Sequence, residues 1–184
     1  MRSYLITDPR YYGTSTHFFR QSLNRSLIKY NPDFVCFRDK TEGDKNLLLE
    51  IFSEISKTSK AVFLLNGSIE GAKKYGLGGV HLRGEQQSLI KEAKSSSLLT
   101  VVSCHTVHDV SHSIELGADY VTLSPLFASP DKGEPIGIEA FETMISNIDR
   151  QKVFALGGID NESRVRQVLE TGVFGFASIR YFVR

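Results

Sequence analysis

The sequence predicts an α/β protein with one domain over residues 1–184, a (β/α)8 TIM-type barrel shortened at its C-terminal end. Three observations carry that prediction. Eight short apolar runs recur along the chain, with helically spaced segments between many of them. Most of these runs are continuously apolar rather than alternating, as expected for parallel strands covered on both faces. Two of them end in segments suited to anions: residues 124–133, with small hydroxyls, paired prolines and Lys132, and the pair Gly157–Gly158. Anion sites of this kind gather at the C-terminal mouth of a parallel barrel. A doubly wound open sheet also alternates strand and helix, but eight strands in strict sequence favour closure.

The strand runs are residues 4–6, 34–37, 61–65, 79–82, 98–103, 120–123, 153–156 and 174–179. Between them, Phe19, Leu23 and Leu27 step by four, and Leu48, Ile51, Phe52 and Ile55 share one helical face. Val107, Val110 and Ile114 form another stripe, followed by Phe141, Met144, Ile145 and Ile148, then by Val165, Val168 and Leu169. Thr106 with Asp109 reads as a capping box, and Asp160 as the N-cap of the last helix. After the eighth run only residues 180–184 remain, too few for a full eighth helix. Helices cover the outer face of such barrels, so Phe174, Phe176, Tyr181 and Phe182 are expected to form an uncovered aromatic patch. A homodimer partner or an unusually placed first helix would close it, or the tail would fold back over the gap itself.

Composition narrows the function classes. The 22 basic and 21 acidic residues nearly cancel, and no basic block stands out, which argues against a nucleic-acid partner. No apolar run approaches the roughly 18 residues of a membrane span. The N-terminus enters a strand pattern at once, leaving no room for a signal peptide, and the expected location is cytoplasmic. Cys36 and Cys104 lie apart inside apolar runs without metal spacing and are expected to be buried, reduced thiols.

Chemistry in a barrel sits where the strands exit. The second strand exits through Arg38-Asp39-Lys40, two cations placed to clamp a phosphate or pyrophosphate. The third exits through Asn66-Gly67-Ser68, which also suits a turn and helix cap. The fourth carries His81, read as a hydrogen-bonded structural residue inside the barrel, ahead of Arg83. The fifth exits through Ser103-Cys104-His105-Thr106, where His105 is either a general acid or base or part of the helix cap. The sixth supplies Ser129, Asp131 and Lys132. Gly157 and Gly158 let backbone approach an anion, the following helix start favours negative charge, and Arg180 completes the same corner.

Five segments in one order resemble the thiamine-phosphate synthase and thiazole tautomerase superfamily across nearly the whole chain. They are Phe37-Arg38-Asp39-Lys40, Gly79-Val80-His81-Leu82, Ser103-Cys104-His105-Thr106, Ser124-Pro125-Leu126-Phe127 with Lys132, and Ala155-Leu156-Gly157-Gly158-Ile159. The resemblance implies that Arg38 and Lys40 grip a pyrimidine pyrophosphate, with Cys36 standing where that family has Gln. It implies a pyrophosphate or pyrimidine contact for Asn66, further pyrophosphate contacts for Ser103 and Lys132, and a thiazole phosphate held by Ser129, Gly157 and Gly158. His105 and Lys132 are the catalytic candidates. The partners it implies are small phosphorylated thiazole and pyrimidine substrates.

The departures concern the metal and the base. The synthases bind Mg²⁺ through an Asp after the Asn and another beyond the Gly-Val-His-Leu strand. Here Gly67 stands at the first place and Gln86, beside Glu85, at the second; Asp39, Glu85 and Asp131 are the remaining carboxylates. The tautomerase has a His just after the sixth strand, where this chain has Pro125, so His105 or His81 would have to move the proton. The expected function is thiamine-phosphate synthesis with release of pyrophosphate. A metal-independent tautomerase and a non-catalytic binder of thiazole or thiamine phosphate are the alternatives.

Overall fold

In a computed structural model that describes residues 1–130 and 133–184, eight parallel strands close into a barrel in sequence order. They are β1 (Arg2–Ile6), β2 (Phe34–Phe37), β3 (Val62–Asn66), β4 (Gly79–Leu82), β5 (Leu99–Cys104), β6 (Tyr120–Leu123), β7 (Val153–Leu156) and β8 (Gly175–Ser178). The helices are α1 (Pro9–Tyr12), α2 (Thr16–Tyr30), α3 (Asn46–Ser56), α4 (Ile69–Lys74), α5 (Ile90–Ser95), α6 (Val107–Glu115), α7 (Ile138–Met144) and α8 (Glu162–Glu170). Closure runs through β1 and β8, where Tyr4 faces Ala177 and Leu5 faces Ser178.

The strand runs are apolar throughout because successive side chains serve two cores. One set points into the barrel: Tyr4 and Ile6, Phe34 and Cys36, Leu64, Val101, Phe154 and Ala177. The intervening set, including Leu5, Val35, Phe37, Val80, Val102 and Phe176, meets the helices outside. At the N-terminal end the interior is plugged by rings. Phe34, Tyr120, Phe154 and Phe174 stack edge-on or face-on at centroid distances of 4.6–6.2 Å, with Tyr4 packed against Phe34 and Phe154. The opposite end of the interior is polar, with Asn66, His81 and Ser103 at the same inward-facing positions.

The helices start at identifiable caps. Ser15 accepts from Phe18 N–H, Ser68 from Gly71 N–H, and Thr106 with Asp109 forms the expected box. The cap of α8 is Asn161, which accepts from Arg164 N–H, rather than the expected Asp160. Asp160 is instead an acceptor for arginines, as described below.

The eighth barrel helix is reduced to a single 3-10 turn, Arg180–Val183. The aromatic patch expected to lie bare beside it is covered from within the chain. Phe182 is 1% exposed and stacks on Phe176, with Tyr30 of α2 edge-on to it. Ser26 of α2 donates to the Phe182 carbonyl at 2.8 Å, while Lys29 and Tyr30 donate to the Arg184 carbonyl. Burying one such ring stabilises by roughly 1.5–3 kcal/mol. The gap that argued for a dimer partner is therefore filled by the folded-back tail and α2. No helix among the described residues is long and apolar enough to cross a membrane.

Candidate active site

The mouth of the barrel holds two adjoining cavities of about 450 and 710 Å³. They share Arg38, Lys40, Thr41, Ser129, Leu156, Gly157 and Ile179 as a common wall. The smaller lies over the ends of β7 and β8, the larger over β3 to β6.

The smaller cavity combines a glycine pair with the side chains of Asp8, Arg10, Ser129 and Arg180. Gly157 and Gly158 have φ of +103° and +68°, which side chains rarely adopt. A Cβ on Gly157 would stand 2.7 Å from Pro125 Cα, and one on Gly158 2.6 Å from the Ala128 carbonyl. The loop after β6 presses this close because it pairs with β7's end: Leu126 N–H donates to the Leu156 carbonyl and Phe127 N–H to that of Gly157. The Ser124–Pro125 peptide in this loop is cis. Among the described residues, Gly158 N–H donates to no backbone carbonyl. Asp160 sits behind the pair and gathers Arg164 at 3.1 Å, Arg180 at 3.5 Å and Arg184 at 3.8 Å. Arg164 also donates to the Gly158 carbonyl. Arg180 thus reaches the cavity wall with its guanidinium steered by Asp160, and Ser129, half-buried, faces it from the β6 loop.

Sequence reasoning passed over Asp8 and Arg10 here. Asp8 caps α1, accepting from Arg10 N–H with Pro9 at the first helical position, the usual combination at a helix start. Its carboxylate also takes the Arg10 side chain at 2.9 Å and Arg38 at 3.3 Å. Burial alone would raise its pKa, but the hydrogen bonds from Arg10 and the charges of Arg10 and Arg38 prevail and hold it below the ordinary value. The Asp-Pro pair directly after β1 was the available signal.

The larger cavity is lined by side chains. His81 lies on its floor and is 3% exposed, with Nδ1 2.9 Å from the Tyr4 hydroxyl and Nε2 2.9 Å from Ser103 Oγ. Burial, helped by the nearby Arg38 charge, pushes its pKa down to about 4, so near neutral pH the ring is uncharged. His81 is a structural link, as expected, and Ser103 reaches the cavity as its partner. Asn66 donates from Nδ2 to the His81 carbonyl at 3.1 Å, which turns its amide oxygen toward the cavity it lines. Arg38 and Lys40 stand on the shared wall. Asp39 accepts from Thr41 N–H at 2.8 Å and from its hydroxyl at 2.6 Å.

His105 is exposed at the rim, its Nδ1 2.8 Å from the Ser124 carbonyl. A carbonyl only accepts, so Nδ1 carries the hydrogen and Nε2 is left as a base. The helix cap is formed by Thr106 and Asp109, so the His105 ring is not part of it. Lys132 and Asp131, the other candidates on the β6 loop, lie outside the described residues. Cys36 and Cys104 are buried and unpaired, and burial raises both pKa values to about 12. Neither thiol faces the mouth as a nucleophile.

The positions expected to hold Mg²⁺ do not fit it. Mg²⁺ takes one or two carboxylates together with phosphate oxygens. Gly67 has no side chain, and the Gln86 amide is already committed: its nitrogen donates to the Gly67 carbonyl at 3.0 Å and its oxygen accepts from Arg83 N–H at 3.0 Å. Asp39 is engaged by Thr41, and Glu85 lies 3.0 Å from Arg83 Nε. Among the described residues no three metal-binding side chains converge.

A family model described as thiamine monophosphate synthase matches residues 3–182. The chain belongs to this family. Among its curated relatives, a thiamine-phosphate synthase of Salinibacter ruber is 28% identical over 183 residues, covering 96% of this chain and 78% of that protein. One from Dictyoglomus turgidum is 28% identical over 166 residues, 86% of this chain and 74% of that protein. A solved thiamine phosphate pyrophosphorylase from Pyrococcus furiosus superposes with a TM-score of 0.80 over 97% of this chain and 85% of that one, at 22% identity. That likeness establishes the shared barrel, and family membership comes from the sequence match.

Proposed function

We propose that this protein is a thiamine-phosphate synthase, joining a hydroxymethylpyrimidine pyrophosphate to a thiazole phosphate. The observation that supports this most is the paired cavity, with one lobe at the glycine pair of β7–β8 and a second over β3 to β6, meeting at a shared wall that carries Arg38, Lys40 and Ser129. Backbone N–H groups and Arg180 suit the phosphate of the thiazole. Arg38 and Lys40, with Lys132, suit the pyrophosphate. In the reaction the C–O bond of the pyrimidine methylene breaks, its electron pair leaves with pyrophosphate, and the thiazole nitrogen lone pair forms the new C–N bond. No proton has to be relayed for that exchange. Fixed cations at the leaving group act where charge develops, the arrangement that lowers such barriers most. We place the reaction in the cytoplasm, in keeping with two reduced, buried thiols.

The test is incubation with both substrates and measurement of thiamine phosphate and pyrophosphate in equal amounts. Product from neither substrate pair would end the reading. His105 supports a second one, a tautomerase, since its Nε2 is a base at the rim that synthase chemistry does not need. Conversion of a thiazole carboxylate phosphate that is lost in His105→Gln, without thiamine phosphate formation, would establish that alternative. Thermal stabilisation by thiazole phosphate without any turnover would indicate the non-catalytic binder.

A further inference from the structure

We infer that the pyrophosphate end of this site operates without a divalent cation, the Arg83 guanidinium occupying the ground that the metal would need. The inference rests on the synthase reading, which makes pyrophosphate the leaving group.

Arg83 follows β4 and lines the larger cavity with Arg38 and Lys40. It lies directly against Gly67: a Cβ placed there would sit 3.5 Å from Arg83 Nε and 3.7 Å from its guanidinium carbon. The space left by the absent side chain is therefore bordered by a permanent positive charge. The Gln86 oxygen, which a metal would have to recruit, accepts from both the backbone N–H and Nε of Arg83. Among the described residues Glu85 is the carboxylate beside Arg83, and Arg83 Nε already neutralises it. A cation bound to Glu85 would face the guanidinium as a like charge. Among the described residues, the terminal Nη atoms of Arg83 donate to no protein group, although Nε is engaged. A guanidinium stays charged at any working pH and presents a planar fork that matches phosphate oxygens.

Among the described residues the cavity wall thus offers Arg83, Arg38 and Lys40 against two carboxylates that are already engaged, Asp39 and Glu85. When the C–O bond breaks and its electron pair passes to pyrophosphate, the added charge falls beside Arg83. Nothing is oxidised, and no proton is required.

The experiment is calorimetric titration of the intact protein with inorganic pyrophosphate, in EDTA and in MgCl2, for the wild type, Arg83→Ala and Arg83→Lys. The wild type should bind in EDTA with an affinity within about threefold of that in Mg²⁺. Arg83→Ala should lose at least about tenfold in EDTA, the order expected for one charge-assisted hydrogen bond, and Arg83→Lys should recover part of it. Arg83 is exposed, so these variants should keep the wild-type melting temperature. In a Gly67→Asp/Gln86→Asp double variant, Mg²⁺ should strengthen pyrophosphate binding, since Asp tolerates the φ of +76° at residue 67 better than most side chains. Wild-type binding that improves tenfold or more with Mg²⁺, binding in neither buffer, or an Arg83→Ala variant that binds like the wild type in EDTA would each overturn the inference. Metal-free, Arg83-dependent pyrophosphate binding in a protein that makes no thiamine phosphate would sink the synthase reading and leave the site as an anion receptor.

Discussion

The two lobes of the barrel mouth are made from different parts of the polypeptide. The lobe over β7 and β8 is built on backbone at Gly157 and Gly158, held by a loop that allows no Cβ between them. The lobe over β3 to β6 is a side-chain surface in which Arg83, and Arg38 and Lys40 on the shared wall, project from strand exits that the fold does not need them to make. One lobe is thus inseparable from folding, whereas the other can be revised by substitution. This difference runs parallel to what the sequence resemblance implies, in which the glycine pair is matched and the two Asp positions are not.

The largest expected effect lies beneath the larger lobe, at His81. In the folded protein the ring stays neutral down to about pH 4, whereas in the unfolded chain it takes up a proton near its ordinary value of 6.5. As pH falls, the unfolded state binds that proton first. Stability is therefore lost between about pH 6.5 and 4, by on the order of 3 kcal/mol from this group, and nothing further is lost below. Denaturant titrations across that window should show the slope, and His81→Gln should flatten it.

Next comes Gly158→Ala, which places a Cβ against the Ala128 carbonyl and the Phe127 side chain at a left-handed φ. A cost of about 1–3 kcal/mol is expected, and a domain of this size loses roughly 2–4 °C in Tm per kcal/mol. Gly133→Ala, with nothing within 4 Å, should be neutral in the same calorimetric scan. If both variants melted alike, the backbone lobe would not be tied to the fold.

Arg38→Ala should do the reverse, weakening pyrophosphate binding by about tenfold or more with little change in Tm, because Asp8 keeps Arg10 as a partner. Unchanged affinity would remove β2 from the site. The smallest effect belongs to Lys40→Ala. Its side chain is exposed, so the loss should stay under about tenfold and shrink as salt is raised.

The barrel was legible because each strand run is apolar on both faces, and the predicted and observed strands differ by no more than a residue or two at their ends. Helices α4 and α5 were not legible. Six residues is less than two turns, too short for the spacing of Ile69 and Ala72, or of Ile90 and Ala93, to register as a stripe. The sequence left open whether a partner, the first helix or the tail itself closes the aromatic patch, since the choice depends on Ser26, Lys29 and Tyr30 meeting a segment about 155 residues away. At the mouth, strand-exit reasoning located the cavity residues Arg38, Lys40, Asn66, Ser103, Ser129, Gly157, Gly158 and Arg180. It missed Asp8, whose cap looks local, and it read Arg83 as an ordinary strand exit. The contact of Arg83 with Gly67 arises only when β3 and β4 lie side by side.

The hydrogen bond between Tyr4 and His81 turns the floor of the mouth into an optical reporter. The chain contains no tryptophan, so its near-ultraviolet emission comes from seven tyrosines with no indole to drain their excitation. Of these, Tyr4 is wholly buried and bonded to the imidazole on which the larger cavity rests. Any ligand that reorients or charges His81 alters the hydrogen-bond partner of the Tyr4 hydroxyl, and with it the tyrosine's environment. A ligand that disturbs His81 is therefore expected to register in the intrinsic tyrosine fluorescence of the unlabelled protein.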